Sequence, residues 1–97
     1  MSFKDSSNWN EKNELKAFII FKRLEELNFP RGKQIELCRV MEKETKLAAE
    51  NICAKVSNYK SIAGINNNSN ASNDTKEAYI KYKDYSIKDL EEIISKI

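Results

Sequence analysis

Along this chain apolar residues recur at steps of three and four, the spacing that gathers side chains on one face of an α-helix. Leu15, Phe18, Ile19, Phe21, Leu24 and Leu27 form the first such stripe and predict a helix from near Asn10 to just before Pro30. Asn10 is suited to cap it, Glu11 and Glu14 favour the positive end of its dipole, and Pro30 stops it. Trp9 is placed to fold back on the first turn as a hydrophobic staple. Ile35, Leu37, Cys38, Val40 and Met41 predict a second helix over 33–43. After the polar break 42–45, with Thr45 as cap, Leu47, Ala48, Ala49, Ile52, Cys53, Val56 and Tyr59 predict a third helix to about Lys60.

The stretch 61–73 breaks the periodicity. It holds Asn66-Asn67-Asn68-Ser69-Asn70 and reads as a mobile, Asn-rich loop. A fourth helix is expected from Asp74 to about Lys83, capped by Ser72 or Asn73, with Ala78, Tyr79 and Tyr82 on one side. The β-prone residues of 79–85 are the one place where a strand competes with it. Ser86-Ile87-Lys88-Asp89 has the spacing of a capping box and opens a fifth helix. Its Ile87, Leu90, Ile93, Ile94 and Ile97 fit the i, i+3, i+4, i+7 template throughout. That stripe either closes the monomer core or pairs with its copy across a two-fold axis, so a homodimer through the last helix is one expectation. The fold class that follows is all-α. It is a small bundle of about five helices in one domain over 1–97, with a flexible N-terminus over 1–8. The second and third helices have the outline of a helix-turn-helix pair. Leu15, Phe18, Ile19, Leu24, Ile35, Cys38, Ile52, Cys53, Val56, Tyr59, Leu90, Ile93 and Ile94 are its expected core.

Composition sharpens this picture mostly by exclusion. The chain of 97 residues holds only two Gly and one Pro, too few for the many turns of an all-β fold. It has no His, which removes His-based acid–base catalysis, Ser/His and Cys/His nucleophile pairs, and His-containing metal sites. Two cysteines, Cys38 and Cys53, are too few for a Cys₄ zinc site, and their places in apolar stripes read as buried free thiols. The carboxylate pairs Glu25-Glu26 and Glu91-Glu92 are adjacent on helices and point apart. No catalytic residues, no cofactor and no metal are expected, and the chain reads as a non-enzyme. Seventeen Lys and Arg against fifteen Asp and Glu leave a charge of +2, which gives no global field for nucleic acid. The polar start Met1–Asn10 is unlike a signal peptide, and the longest apolar run, Ala17–Phe21, is too short for a membrane span. A cytoplasmic protein with no membrane partner is expected. Abundant Asn, Lys and Ile fit an A/T-rich genome, such as that of a phage or mobile element of a low-GC bacterium.

Two sets of residues are candidates for binding. A third helix starting at Thr45 turns Lys55, Ser57, Asn58 and Lys60 to water while Ile52, Val56 and Tyr59 face inward. Lys and Asn together suit phosphates and base edges, Asn being able to bond adenine in a bidentate manner. Lys46, Lys55, Asn58 and Lys60 are therefore candidate nucleic-acid contacts, against the plainer reading of a solvated face. The second set comprises the aromatics Phe3, Trp9, Tyr82 and Tyr85, candidate anchors for a protein partner because Tyr and Trp are enriched at interface hot spots. Core or rim packing is the competing reading for each.

Certain of these residues also stand in a familiar order. Trp9, Glu11 and Glu14 precede the long apolar helix Leu15 to Leu27. Ile35 to Met41 follow, then Lys55, Val56, Asn58, Tyr59 and Ile62, then Gly64-Ile65 and Ala71-Ser72, and last the pair Tyr79 and Tyr82. Over residues 9–82 the chain resembles the N-terminal, non-catalytic helical module of HNH-type, McrA-like restriction endonucleases. The block 55–62 is its most specific part. Glu42-Lys43-Glu44-Thr45 departs from the family's Gly-Arg-Ser/Thr, and Ala63-Gly64 stands where an Asp-Pro is usual. The HNH half has no counterpart here. The resemblance implies a free-standing DNA-reading module. The alternative it leaves open is a small phage or mobile-element protein that inhibits a host defence nuclease, or acts as a regulator, through protein contacts.

Overall fold

The structure is a computed structural model and describes residues 9–65 and 73–97, with Asp74 described by its backbone only. The expected flexible N-terminus over 1–8, with Phe3, and the Asn-rich part of the expected loop, 66–72, lie outside the described residues. The rest is all-helical: α1 spans Glu11–Glu26, α2 Lys33–Thr45, α3 Ala49–Ile62, α4 Asn73–Tyr82 and α5 Ile87–Lys96. No strand occurs among the described residues, and the β-prone segment 79–85 is the end of α4 and a turn. Tertiary packing on Tyr79 and Tyr82 overrides their strand preference.

Helix α1 is the centre of the bundle and packs against each of the other four helices. This explains a sequence wider than one stripe: Leu15, Ala17, Phe18, Ile19, Ile20, Phe21 and Leu24 are all buried. Its start is as expected, with the Asn10 side chain accepting the Asn13 amide at 2.8 Å. Its end comes earlier than expected. Leu27, Asn28 and Phe29 fold back, the Phe29 amide donating to the Leu24 carbonyl at 2.7 Å, and Asn28 and Phe29 have φ of 62° and 52°. Left-handed backbone is costly for a bulky residue such as Phe29. Its ring is seated against Phe21 at 6.1 Å between centroids, a contact that offsets the cost.

The junction of α2 and α3 also differs from expectation. Thr45 does not cap α3. It is the last residue of α2, where its hydroxyl donates to the Met41 carbonyl at 2.8 Å and accepts the Leu47 amide at 3.3 Å. Lys46 at φ 66° ends the helix. The cap position of α3 is Ala48, which has no capping group, and the Glu42 carboxylate accepts the Ala49 amide at 3.0 Å instead. Helix α3 continues through Ser61 and Ile62, so the expected loop begins later, at the turn around Gly64 with φ 85°. Ile65 closes that turn by donating to the Lys60 carbonyl at 2.8 Å. Asn73, expected in the loop or as a cap, is the first residue of α4. The capping box of α5 is present, with Ser86 accepting the Asp89 amide at 3.1 Å and Asp89 accepting the Ser86 amide.

The core lies where the faces of α1, α3 and α4 meet. Phe18 sits against Tyr59 at 4.9 Å, Phe21 at 5.8 Å and Tyr79 at 6.1 Å between centroids. Ile52, Val56 and Leu90 are fully covered. Among the residues expected in the core, Ile35 is exposed, and Cys53, Ile93 and Ile94 are only half-buried. On α2 only Cys38 and Met41 are buried. The α2 helix lies on the bundle with one narrow side, so Ile35 and Val40 are left outside.

Candidate functional site

The cations expected on the outer face of α3 are largely committed to the protein itself. Lys55 does not point to water. Its side chain is 14% exposed, and its ammonium lies 3.2 Å from a Glu14 oxygen. It also donates to the Thr75 hydroxyl at 2.9 Å and sits 4.7 Å from the centroid of the Trp9 ring. Lys60 is half-buried, donates to the Gln34 side chain at 3.2 Å and lies over Phe29. Asn58 is half-buried as well. Lys46 is exposed, at the left-handed end of α2. The structure therefore brings Lys55 and Lys60 onto one helix as expected but turns both into internal ties.

Beneath Lys55 is a buried polar cluster that the sequence pattern did not bring out. Glu14 is 1% exposed and accepts from Lys55 and from the Tyr59 hydroxyl. Its place in the first turn of α1 suggests only an acid that favours the helix dipole. One signal in the sequence marks it further: Glu14, Phe18 and Phe21 follow at four- and three-residue steps, so the carboxylate shares the core face. A carboxylate this deep needs charged and hydrogen-bonding partners, and Lys55 and Tyr59 supply them. The cluster joins α1, α3 and α4 with Trp9 as its lid. With both Glu14 oxygens engaged, its chemistry is that of a clamp.

Burial raises the Tyr59 phenol well above its ordinary value of 10.0, and the charge of Glu14 and their hydrogen bond push in the same direction. The folded protein thus keeps a proton that the unfolded chain gives up above about pH 10. This contribution to stability is complete below that pH and is lost as the pH climbs toward the folded value. The melting temperature is expected to fall above about pH 10, and Tyr59→Phe to fall less steeply there despite its lower melting temperature at neutral pH. Parallel slopes for the two proteins in alkaline thermal scans would disprove this role.

Of the expected aromatic anchors, Tyr82 is not exposed. It is 3% exposed, its hydroxyl donates to Glu11 at 3.4 Å, and its ring meets Tyr85 edge-on at 5.2 Å. Its position opposite α1 on the inner side of α4 buries it. Tyr85 is exposed, and Trp9 is half-buried against the core.

A concave surface lies elsewhere. Helices α2 and α5 both pack on α1, and between them runs a groove of about 550 Å³. Ile19, Ile20, Leu37 and Met41 line it, with Ile94 from α5. Val40 and Ile97 stand at its lips, 52% and 56% exposed. Lys12, Lys16 and Arg23 border it along α1, and Glu44 and Glu91 face Lys16 and Arg23 at 3.7 and 3.5 Å. The run Lys12, Lys16, Ile19, Ile20, Arg23 is one stripe of α1, opposite the Glu14 stripe, with its two Ile covered by α2 and α5. The arrangement offers apolar contact flanked by cations and has no convergent set of reactive groups. Among the described residues no three acidic or thiol groups gather as metal ligands, and no helix is long and apolar enough to cross a membrane.

The fold is a small all-α bundle built on one central helix. Compared with known proteins, the chain matches no family model, no curated protein and no solved structure.

Proposed function

We propose that the domain is a non-catalytic protein-binding module that seats an amphipathic helix of a partner protein in the α1–α2–α5 groove. The observation that carries this reading is the groove itself, where exposed Val40 and Ile97 flank an apolar floor and α1 cations line the edge. Small soluble domains seldom leave apolar residues clustered in a concave surface without an occupant. The lining holds Lys12, Lys16 and Arg23 against Glu44 and Glu91, and this small positive excess favours an occupant with acidic residues beside its apolar stripe. Lys12 and Lys16 lie one turn apart on α1 and can meet carboxylates at the same spacing, Lys16 by exchanging its exposed partner Glu44.

A second reading, contact with a nucleic-acid backbone, has one observation in its favour. Arg39 and Lys43 are exposed four residues apart on α2, and Lys46 is exposed just past its end. Three cations on a surface of this near-neutral balance give weak, salt-sensitive contact. Lys55, paired with Glu14 and 14% exposed at its side chain, lends this reading little support from α3.

A titration with fluorescein-labelled probes separates the two. The probes are a synthetic amphipathic helix with a Leu stripe and Glu flanks, the same helix with Lys flanks, and a DNA duplex. The acidic helix is expected to bind, and Val40→Asp to weaken it by roughly tenfold or more, with an unchanged helical circular dichroism spectrum. Equal binding of the two helices, or indifference to Val40→Asp, refutes the groove reading. Duplex binding lost with Lys43→Glu replaces it by the second. Self-association of the free chain abolished by Ile97→Asp places a second copy in the groove instead.

A further inference from the structure

The α2–α3 hairpin holds two reduced cysteines, and the register of the two helices brings them face to face. Three contacts define that register. The Glu42 carboxylate accepts the Ala49 amide at 3.0 Å. Cys38 and Cys53 are neighbouring thiols, near enough for Cys53 to help hold the Cys38 thiol protonated. The Gln34 amide donates to the Ser57 hydroxyl at 3.2 Å, and also to the Cys53 carbonyl at 3.2 Å. Each contact lies four residues back along α2 and four residues forward along α3 from the one before, a full turn on both helices. The cysteines are therefore the middle rung of an antiparallel ladder and are held from both sides.

We propose that Cys38 and Cys53 form a reversible dithiol–disulfide site that reacts with a low-molecular-weight disulfide. The two sulfurs differ in access. Cys53 is half-buried and Cys38 is fully covered. Cys53 is thus the attacking group and Cys38 the resolving one. The Cys53 thiolate attacks one sulfur of the small disulfide RSSR, forming the mixed disulfide Cys53–S–SR and releasing one RS⁻. Cys38 then gives its proton to that thiolate, attacks the Cys53 sulfur and expels the second RS⁻, which takes up the proton lost at first by Cys53. The balance is two protein thiols plus RSSR to one protein disulfide plus two RSH. Burial, together with the neighbouring Cys53, holds the Cys38 thiol protonated far above ordinary thiols, so the second step is the slow one and quickens with rising pH. The closed bridge ties α2 to α3 across the loop between them and restrains the unfolded chain.

The test uses the full reduced chain with oxidised glutathione as the probe. Expected is a protein whose intact mass has fallen by two hydrogens, with no retained glutathione. Peptide mapping should join Cys38 to Cys53, dithiothreitol should restore both thiols, and the oxidised form should melt at a higher temperature. Cys38→Ser is expected to keep glutathione on Cys53, because the resolving thiol is gone. Cys53→Ser is expected to stay unmodified under the same conditions, because Cys38 is covered. A wild type that accumulates the mixed disulfide without closing overturns the proposal. So does one whose two thiols are both still alkylated by N-ethylmaleimide once the treated chain is unfolded in denaturant, or one that bridges between chains. These three outcomes are read on the wild type alone and hold even where a variant folds poorly.

Discussion

Replacing Lys55 by Met is expected to lower the stability of the fold by about 3–5 kcal/mol, because it leaves the Glu14 carboxylate charged in a buried site without its counter-ion. Glu14 is 1% exposed and Lys55 14% exposed at the side chain, so water does not replace the lost partner. The Tyr59 hydroxyl remains as one donor, and the Thr75 hydroxyl loses the ammonium that it accepts from. The loss is thus an unpaired charge rather than a lost packing contact, since Met keeps most of the apolar stem over Trp9. The double variant Lys55→Met/Glu14→Leu separates the two. With both charges gone the desolvation cost goes with them, and much of the stability is expected to return. Urea unfolding followed by circular dichroism reads the three proteins. A Lys55→Met variant within about 0.5 kcal/mol of wild type would show that the pair is solvated after all.

Phe18→Ala is the second large effect, with an expected loss of about 3–5 kcal/mol through the cavity that it opens. Phe18 is fully buried and its ring contacts Phe21, Tyr59 and Tyr79, so three helices border the space left behind. Those neighbours are themselves large and fixed by one another, which limits collapse into the gap. Domains of this size have only about 5–15 kcal/mol in hand, so this variant should melt far below wild type. Because Tyr59 links Phe18 to Glu14, the Phe18 and Lys55 effects are expected to combine non-additively. A shift in the urea midpoint no larger than that of a surface variant such as Glu92→Ala would contradict the assignment of Phe18 to the core.

The candidate site was legible in the sequence only in part, and α3 shows why. The spacing of Ile52, Val56 and Tyr59 correctly sets their inward direction. Lys55 comes three residues after Ile52 and four before Tyr59, so the same spacing puts it at the edge of that face, where a Lys reads as turned to water. What it does not contain is the neighbour that arrives there: α4 brings Thr75, the start of α1 brings Trp9, and together they cover Lys55. A long side chain at the margin of a helix face is solvated or buried according to that neighbour. Tyr82 differs from it, since its spacing of four from Ala78 already places it on the inner side of α4, where α1 covers it.

What the sequence determines by itself is local. The Asn10 cap, the Ser86–Asp89 capping box and the stripe of α5 with Leu90 at its centre all follow from interactions within a few residues, and all are present. The number and order of the helices follow from the same short-range code. The tertiary structure alone decides that α1 is central, and with it that Glu14 is buried while Ile35 is not. It also sets the register that faces Cys38 with Cys53, and it leaves the groove between α2 and α5 open. The physical reason is that periodicity marks which faces of a helix are apolar, whereas burial depends on which of those faces meets another helix, and at what register.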